Sequence, residues 1–204
     1  MPKIITELKE KGVLRSQAIV RALEDVDRAD FLPEDLHDVA YEDTALPIDG
    51  GQTISQPYTV VFMLEQLHVR PGDIVLDIGY GSGWQTALLA HLVGPSGKVY
   101  AFEVVPMLCE QGKEHLEKYP SLAPRIQFLC MSAQNGYAKA APFDRIVSAA
   151  AVREAPKPWH EQLLPGGRMV YPKGNSLILE VKKPDGHFDI KEFPGFVFVP
   201  FVEA

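Results

Sequence analysis

Cysteine is nearly missing from this chain, and so is any long apolar run. Cys109 and Cys130 are the only cysteines among 204 residues. Two cysteines make no disulfide framework, and neither stands at metal-ligand spacing. The expectation is therefore buried free thiols in a reducing cytoplasm. Six histidines are scattered along the chain, so no zinc site and no other metal site is expected. No apolar stretch approaches the roughly 20 residues that span a bilayer. The opening Met-Pro-Lys-Ile-Ile-Thr-Glu-Leu-Lys-Glu has acids where a signal peptide has its apolar run. Positive charge is short as well. The net charge is −7 and the pI is about 5.4. With no basic run, a general nucleic-acid binder is excluded. There is no internal repeat and no linker. One domain covering residues 1–204 is expected, free of membrane and nucleic acid, cytoplasmic and monomeric.

What is present centres on Val75-Leu-Asp-Ile-Gly-Tyr-Gly-Ser-Gly-Trp84. A short apolar strand, Ile74 to Ile78, runs into glycines at 79, 81 and 83. Trp84, Ala87, Leu88 and His91 then recur at helical spacing. Strand, glycine turn and helix open a nucleotide-binding α/β unit. Glycine permits positive φ and a bare backbone, and the free N–H groups of the helix start face the same crevice. A dinucleotide fingerprint needs G-x-G-x-x-G. The pattern here is acidic-x-G-x-G-x-G with Asp77 at the strand end, which resembles the first motif of S-adenosylmethionine (SAM) methyltransferases. The next strand, Lys98 to Phe102, ends in Glu103. Its two acceptor oxygens suit a ribose diol.

Around this centre, residues 1–38 read as helical. Ile19, Val20, Leu23 and Val26 form a stripe, and Ser16 is a candidate N-cap. Phe31 and Leu32 read as packing anchors. Residues 41–58 read as a long ordered loop, a frequent carrier of function. Val60, Met63, Leu64 and Leu67 share one face of a helix over 59–67. A helix follows Pro106, then strands over 125–130 and 143–148. A short helix over 159–164 is expected to end at Gly166-Gly167, with a strand over 168–171. Pro184-Asp185-Gly186 joins a hairpin of 176–182 and 188–193. Phe196 to Phe201 reads as a last strand. The expected fold is a Rossmann-like α/β domain with helices on both faces. Its sheet is mostly parallel with an antiparallel C-terminal edge. Residues 1–70 supply N-terminal helices and the loop; residues 71–204 supply the core.

The chain resembles the protein-L-isoaspartate O-methyltransferases over nearly its whole length. The Ala22–Pro33 segment resembles the family's N-terminal helix and its Arg-x-x-Phe-Val-Pro end. Leu46-Pro-Ile and Gly51-Gln-Thr-Ile-Ser-Gln-Pro57 resemble its signature loop, the most specific match. Val75–Ala90, Ala141-Pro-Phe-Asp144, Glu161-Gln-Leu163, Gly166-Gly-Arg168 and Phe198-Val-Pro200 match as well. The resemblance implies that SAM donates a methyl group to the free carboxylate of L-isoaspartyl residues in damaged proteins and peptides. The ester then cyclises to a succinimide, which begins repair. That acceptor is already ionised at pH 7 and needs no general base. The protein must align carboxylate oxygen, methyl carbon and sulfur at about 3–3.5 Å and exclude water.

The resemblance also implies the site. Ser55 is the active-site residue, donating to the acceptor carboxylate rather than acting as a nucleophile. Its bland alternative is a cap or brace of the following helix. Gln52, Thr53 and Ile54 line the methyl-donor side, with Val60 above them. Gly79, Gly81, Ser82 and Gly83 hold the methionine part. Glu103 takes the ribose, Ser132 and Ala133 lie by the adenine, and Asp77 and Val104 count among the cofactor-binding residues. Three positions depart from the family. Ser132-Ala133 stands where it has Asp-Gly, which removes a carboxylate near the adenine. Asp49-Gly50-Gly51 stands where it often has Gly-Tyr-Gly, and Asp49 is expected to face solvent. Asp77 replaces the commoner Glu. These departures leave two alternatives open: a carboxyl methyltransferase acting on another peptide or natural-product acceptor, and a non-catalytic interaction module.

Overall fold

Alternation of apolar side chains decides which face each strand offers, and glycine and proline decide where each element stops. The computed structural model describes residues 2–202. Two helices, α1 (Pro2–Glu10) and α2 (Gln17–Asp25), come first, followed by 3-10 turns over Arg28–Phe31 and Glu34–Val39. The stretch expected to be all loop contains a two-stranded ribbon, β1 (Leu46–Pro47) with β2 (Thr53–Ile54). Helix α3 (Pro57–Leu67) begins two residues earlier than the apolar stripe suggests, because proline at its first position is preset for the helix. Next come β3 (Ile74–Ile78), α4 (Trp84–Val93), β4 (Lys98–Glu103), α5 (Pro106–Glu117), β5 (Ile126–Cys130) and β6 (Phe143–Ser148). The chain closes with α6 (Lys157–Gln162), β7 (Leu163–Lys173), β8 (Ser176–Lys182) and β9 (Phe188–Pro194).

Seven strands form one sheet in the order β5-β4-β3-β6-β7-β8-β9. The pairs from β5 to β7 are parallel, and β8 and β9 add antiparallel ladders. This is the Rossmann-like arrangement expected. Period-2 alternation splits the strands between two cores. Val75, Val99, Val147 and Val170 join one with residues of α1 to α4. Leu76, Phe102, Ile146 and Met169 join the other with Trp159 of α6. Asp144 of the Ala-Pro-Phe-Asp string accepts the Ile74 N–H at 2.8 Å and so fixes β6 beside β3.

Several expectations fail. Cys109 and Cys130 are not free thiols: they form a disulfide with Cα atoms 5.6 Å apart. Composition could not reveal it, because the pairing depends on α5 lying across the end of β5. Ser16 occupies the N-cap of α2, yet its side chain makes no cap. Instead the Arg15 and Ser16 N–H groups donate to Glu65 at 2.8 and 2.7 Å. Gly166-Gly167 ends no helix: α6 stops at Gln162, and the pair lies inside β7, in the bulge between its pairings at Leu163 and Arg168. Phe196–Phe201 is irregular apart from one bridge between Ala151 and Pro200. That segment packs over helix and loop rather than along the sheet. Phe196 lies against Phe62 of α3 with ring centroids 5.0 Å apart.

Candidate active site

In an open parallel sheet a ligand crevice lies past the carboxyl ends of the strands, where the connections diverge. Here β3 is that point. Its chain continues to β4 on one side, while β6 lies on the other. A cavity of about 940 Å³ opens there. Its walls come from the turn after β3, the end of β4, the turn after β5 and Ala149-Ala150 after β6. The loop carrying β1 and β2 closes a further side, and residues 194–202 close the rest.

The glycine turn is built around Glu103. Its Oε2 accepts the Gly81 N–H at 3.0 Å, and its Oε1 accepts the Val104 and Val105 N–H groups at 2.7 and 3.0 Å. The carboxylate thus ties the first motif to the strand that follows it, while lining the cavity. Gly79 and Gly81 have φ of 76° and 50°, a region costly for other residues. A Cβ on Gly83 would come within 3.0 Å of the Gly112 carbonyl, so this glycine serves packing between α4 and α5. Asp77 is fully buried beneath the turn. It accepts from Thr86 at 2.6 Å and from Gln85 at 2.9 Å. Burial pushes its carboxyl up to about 6, against those two bonds.

The loop with Ser55 is held from below by Arg28, which is 1% exposed. Its guanidinium donates to the carbonyls of Ala40 at 2.6 Å, Thr44 at 3.0 Å and Ser55 at 3.1 Å. It also stands 5.4 Å from the centre of the Trp84 ring. Desolvation lowers its pKa to about 10. Ser55 caps no helix: the N-cap of α3 is Gln56, whose side chain makes no cap bond and instead donates to the Asp43 carbonyl at 3.0 Å. Asp49 does not line the cavity. Its carboxylate pairs with Gln111 on α5. The charged residues on the wall are Lys11, Asp43 and Glu103. Lys11 donates to Asp43 at 2.6 Å, so an anionic ligand meets a neutralised pair there.

Of the residues singled out from sequence, Ser55, Gln52, Thr53, Ile54, Val60, Gly79, Gly81, Ser82, Glu103, Val104 and Ala133 line this cavity. Asp77, Gly83 and Ser132 lie outside its wall. The Ser132 hydroxyl accepts the Gln134 N–H at 3.3 Å. Sequence reasoning missed Arg28, Lys11, Trp84 and the irregular 194–202 segment. Arg28, Trp84 and Phe198-Val-Pro200 stood within matched segments, which were the signal available; Lys11 had none.

The cavity fits an adenosyl ligand. Its glycine wall leaves room at Gly79 and Gly81, where a Cβ would meet nothing nearer than 3.6 Å. Its volume falls in the ordinary range for small-molecule sites. Trp84 Nε1, on this wall, is a buried donor without a partner among the described residues.

The family model for protein-L-isoaspartate(D-aspartate) O-methyltransferase matches residues 1–204. The protein-L-isoaspartate O-methyltransferase of Aeropyrum pernix is 41% identical, over 98% of this chain and 78% of its own. That of Ignicoccus hospitalis is 38% identical, over 98% and 96%. A solved protein-L-isoaspartate O-methyltransferase shares 28% identity with a TM-score of 0.85, covering 98% of this chain and 65% of its own. A Plasmodium falciparum structure described as a β-aspartate methyltransferase with S-adenosyl-L-homocysteine has a TM-score of 0.88. At 21% identity, with 99% and 98% of the two chains covered, it shares the fold.

Proposed function

The chain belongs to the protein-L-isoaspartate(D-aspartate) O-methyltransferase family and carries out its reaction, methyl transfer from SAM to the free carboxylate of an L-isoaspartyl residue; we propose that the transfer takes place in this cavity, with Ser55 orienting the acceptor. One observation carries that reading. Ser55, on the loop side, and Gly79, Gly81 and Glu103, on the sheet side, face a single cavity.

SAM supplies an electrophilic methyl group. The protein's own residues bind, orient and exclude water. Glu103 accepts the ribose hydroxyls with the lone pairs left free by its three backbone donors. Gln52, Thr53, Ile54 and Val60 line the side where the methyl group is delivered, Asp77 supports the turn of Gly79, Gly81, Ser82 and Gly83, and Ser132 and Ala133 border the adenine. Ser55 donates to one acceptor oxygen and sets its direction. The carboxylate loses charge as it reacts, so a donor that gripped the full anion tightly would slow the step. Orientation is therefore the contribution of Ser55. Arg28, by holding the Ser55 carbonyl, keeps that hydroxyl in register.

The 1–70 and 71–204 segments act as one catalytic unit. One apolar cluster running from Ile4 to Leu179 supports this. The reading is completed by a monomer working in the cytoplasm on isoaspartyl peptides and proteins. No helix among the described residues is long and apolar enough to cross a membrane. A structural disulfide is compatible with that location in organisms whose intracellular proteins carry them.

The test is methyl transfer from radiolabelled SAM to matched isoaspartyl and aspartyl peptides. Label is expected on the isoaspartyl peptide alone, with Ser55→Ala lowering kcat by about 10- to 100-fold, the scale of a misplaced reactant. Label on neither peptide, with SAM still bound, would reject the acceptor.

A further inference from the structure

We propose that the Cys109–Cys130 disulfide is a positioning pair for the cofactor, clamping the turn after β5 so that the cavity wall it forms is in place before SAM arrives. This rests on SAM occupying the cavity described above. Cys130 is the last residue of β5, and β5 is an edge strand with one neighbour. Strand ends with support on one side open readily. The turn that follows, Met131 to Ala133, has no charged side chain with which to hold itself or a ligand. Yet Met131 and Ala133 are wall residues.

The bond reaches across to Cys109 in the first turn of α5, directly after the wall residue Leu108. It therefore fastens one wall to the other. It also reaches the centre of the site. Cys109 Sγ lies 3.6 Å from the Glu103 carbonyl oxygen, a contact and not a hydrogen bond because the sulfur carries no hydrogen. Glu103 is the register partner of Cys130 and the residue whose carboxylate gathers three N–H groups of the cofactor wall. The far end of the turn is secured separately, by the Trp159 indole N–H donating to the Ala133 carbonyl at 2.8 Å. The near end depends on the edge ladder and the disulfide.

A passive staple would have a different signature. Closing a 21-residue separation restrains the unfolded chain and raises stability without touching affinity. A positioning pair removes the ordering of the wall from the cost of binding, which appears as affinity. Cys130 is an exposed residue, so a small dithiol can reach the bond. Thiol–disulfide exchange would convert the dithiol to its cyclic disulfide, passing two electrons and two protons to Cys109 and Cys130.

The experiment is calorimetric titration of the whole protein with SAM, oxidised and after dithiothreitol, with thiols counted by alkylation and mass. Reduction is expected to raise the SAM Kd about tenfold, the scale of ordering one or two side chains. The kcat at saturating SAM and the KM for the isoaspartyl peptide should stay within about twofold, since the lost interaction is equal in ground and transition states. Cys130→Ser should show the reduced Kd and ignore dithiothreitol. If that variant fails to fold, the oxidised and reduced forms still decide the question. A lower Tm with an unchanged Kd overturns the proposal and leaves a staple. Two free thiols in protein purified without reductant overturn it as well. Absence of SAM binding to the oxidised protein removes the cofactor assignment itself, an outcome distinct from an unchanged Kd.

Discussion

Replacing Arg28 by lysine tests whether the loop bearing Ser55 is held from beneath. Arg28 is 1% exposed, and its planar fork holds three carbonyls closely, those of Ala40, Thr44 and Ser55 at 2.6, 3.0 and 3.1 Å, with that of Glu42 at 3.5 Å. An apolar substitution would leave all three carbonyls dry at roughly 1–3 kcal/mol each, which could unfold a domain stable by about 5–15 kcal/mol. Lysine keeps the charge but offers a point donor that cannot span the set. One charge-assisted bond is lost, at a cost of about 2 kcal/mol. For a chain of this length that lowers Tm by about 4–8 °C. The Ser55 carbonyl is among those the fork holds, so methyl transfer should suffer beyond the stability loss. We expect kcat for the isoaspartyl peptide to fall about tenfold at a temperature where the variant is folded, the scale of a misplaced reactant. The SAM Kd should hold, because the cofactor turn is built on Glu103. The assays are a thermal melt, calorimetry with SAM and peptide methylation. An unchanged Tm would refute the hydrogen-bond reasoning, and a lower Tm with unchanged kcat would refute the link to Ser55.

Two further perturbations follow from the same geometry. Glu103→Gln turns an amide NH2 towards N–H donors that the carboxylate accepted, so the glycine turn loses a partner. The SAM Kd should rise about 10- to 100-fold by calorimetry, and an unchanged Kd would remove Glu103 from the ribose. His160→Gln tests a pH effect between α6 and β8. The hydrogen bond with Glu180 at 2.8 Å raises the His160 pKa from 6.5, outweighing burial. A raised folded pKa contributes stability that is complete below 6.5 and is lost as pH rises through the folded value. Wild-type Tm should therefore fall relative to the variant on going from mildly acidic to alkaline buffer, and parallel melts across that range would sink the idea.

Much of this molecule was legible because the relevant signals are local. The turn Gly79-Tyr-Gly-Ser-Gly83 needs positive φ at alternate residues, and glycine advertises that need in the sequence. The strand before it and the helix after it announce their periods within ten residues. Glu103 could be placed because one strand length separates it from its own register. The signature string around Ser55 was readable as a resemblance, although nothing in its composition shows the two-residue strands inside it. What failed was non-local. Gly166-Gly167 looked like a helix stop, but Leu163 and Arg168 on either side of it both pair with β6, and the pair sits in the bulge between them. Phe196–Phe201 is apolar like a buried strand, yet its aromatic partners sit on α3 and α6, and only one bridge forms. Asp49 looked like a stray charge until α5 brought Gln111 to it, across 62 residues. Arg28 reaches Ser55 across 27 residues, and Cys109 reaches Cys130 across 21. The sequence by itself determined the kind of site and the chemistry of its turn, because backbone conformation is chosen by neighbours along the chain. The tertiary structure decided which buried groups satisfy one another, because desolvated donors, acceptors and thiols take whatever partner the packed chain places in reach.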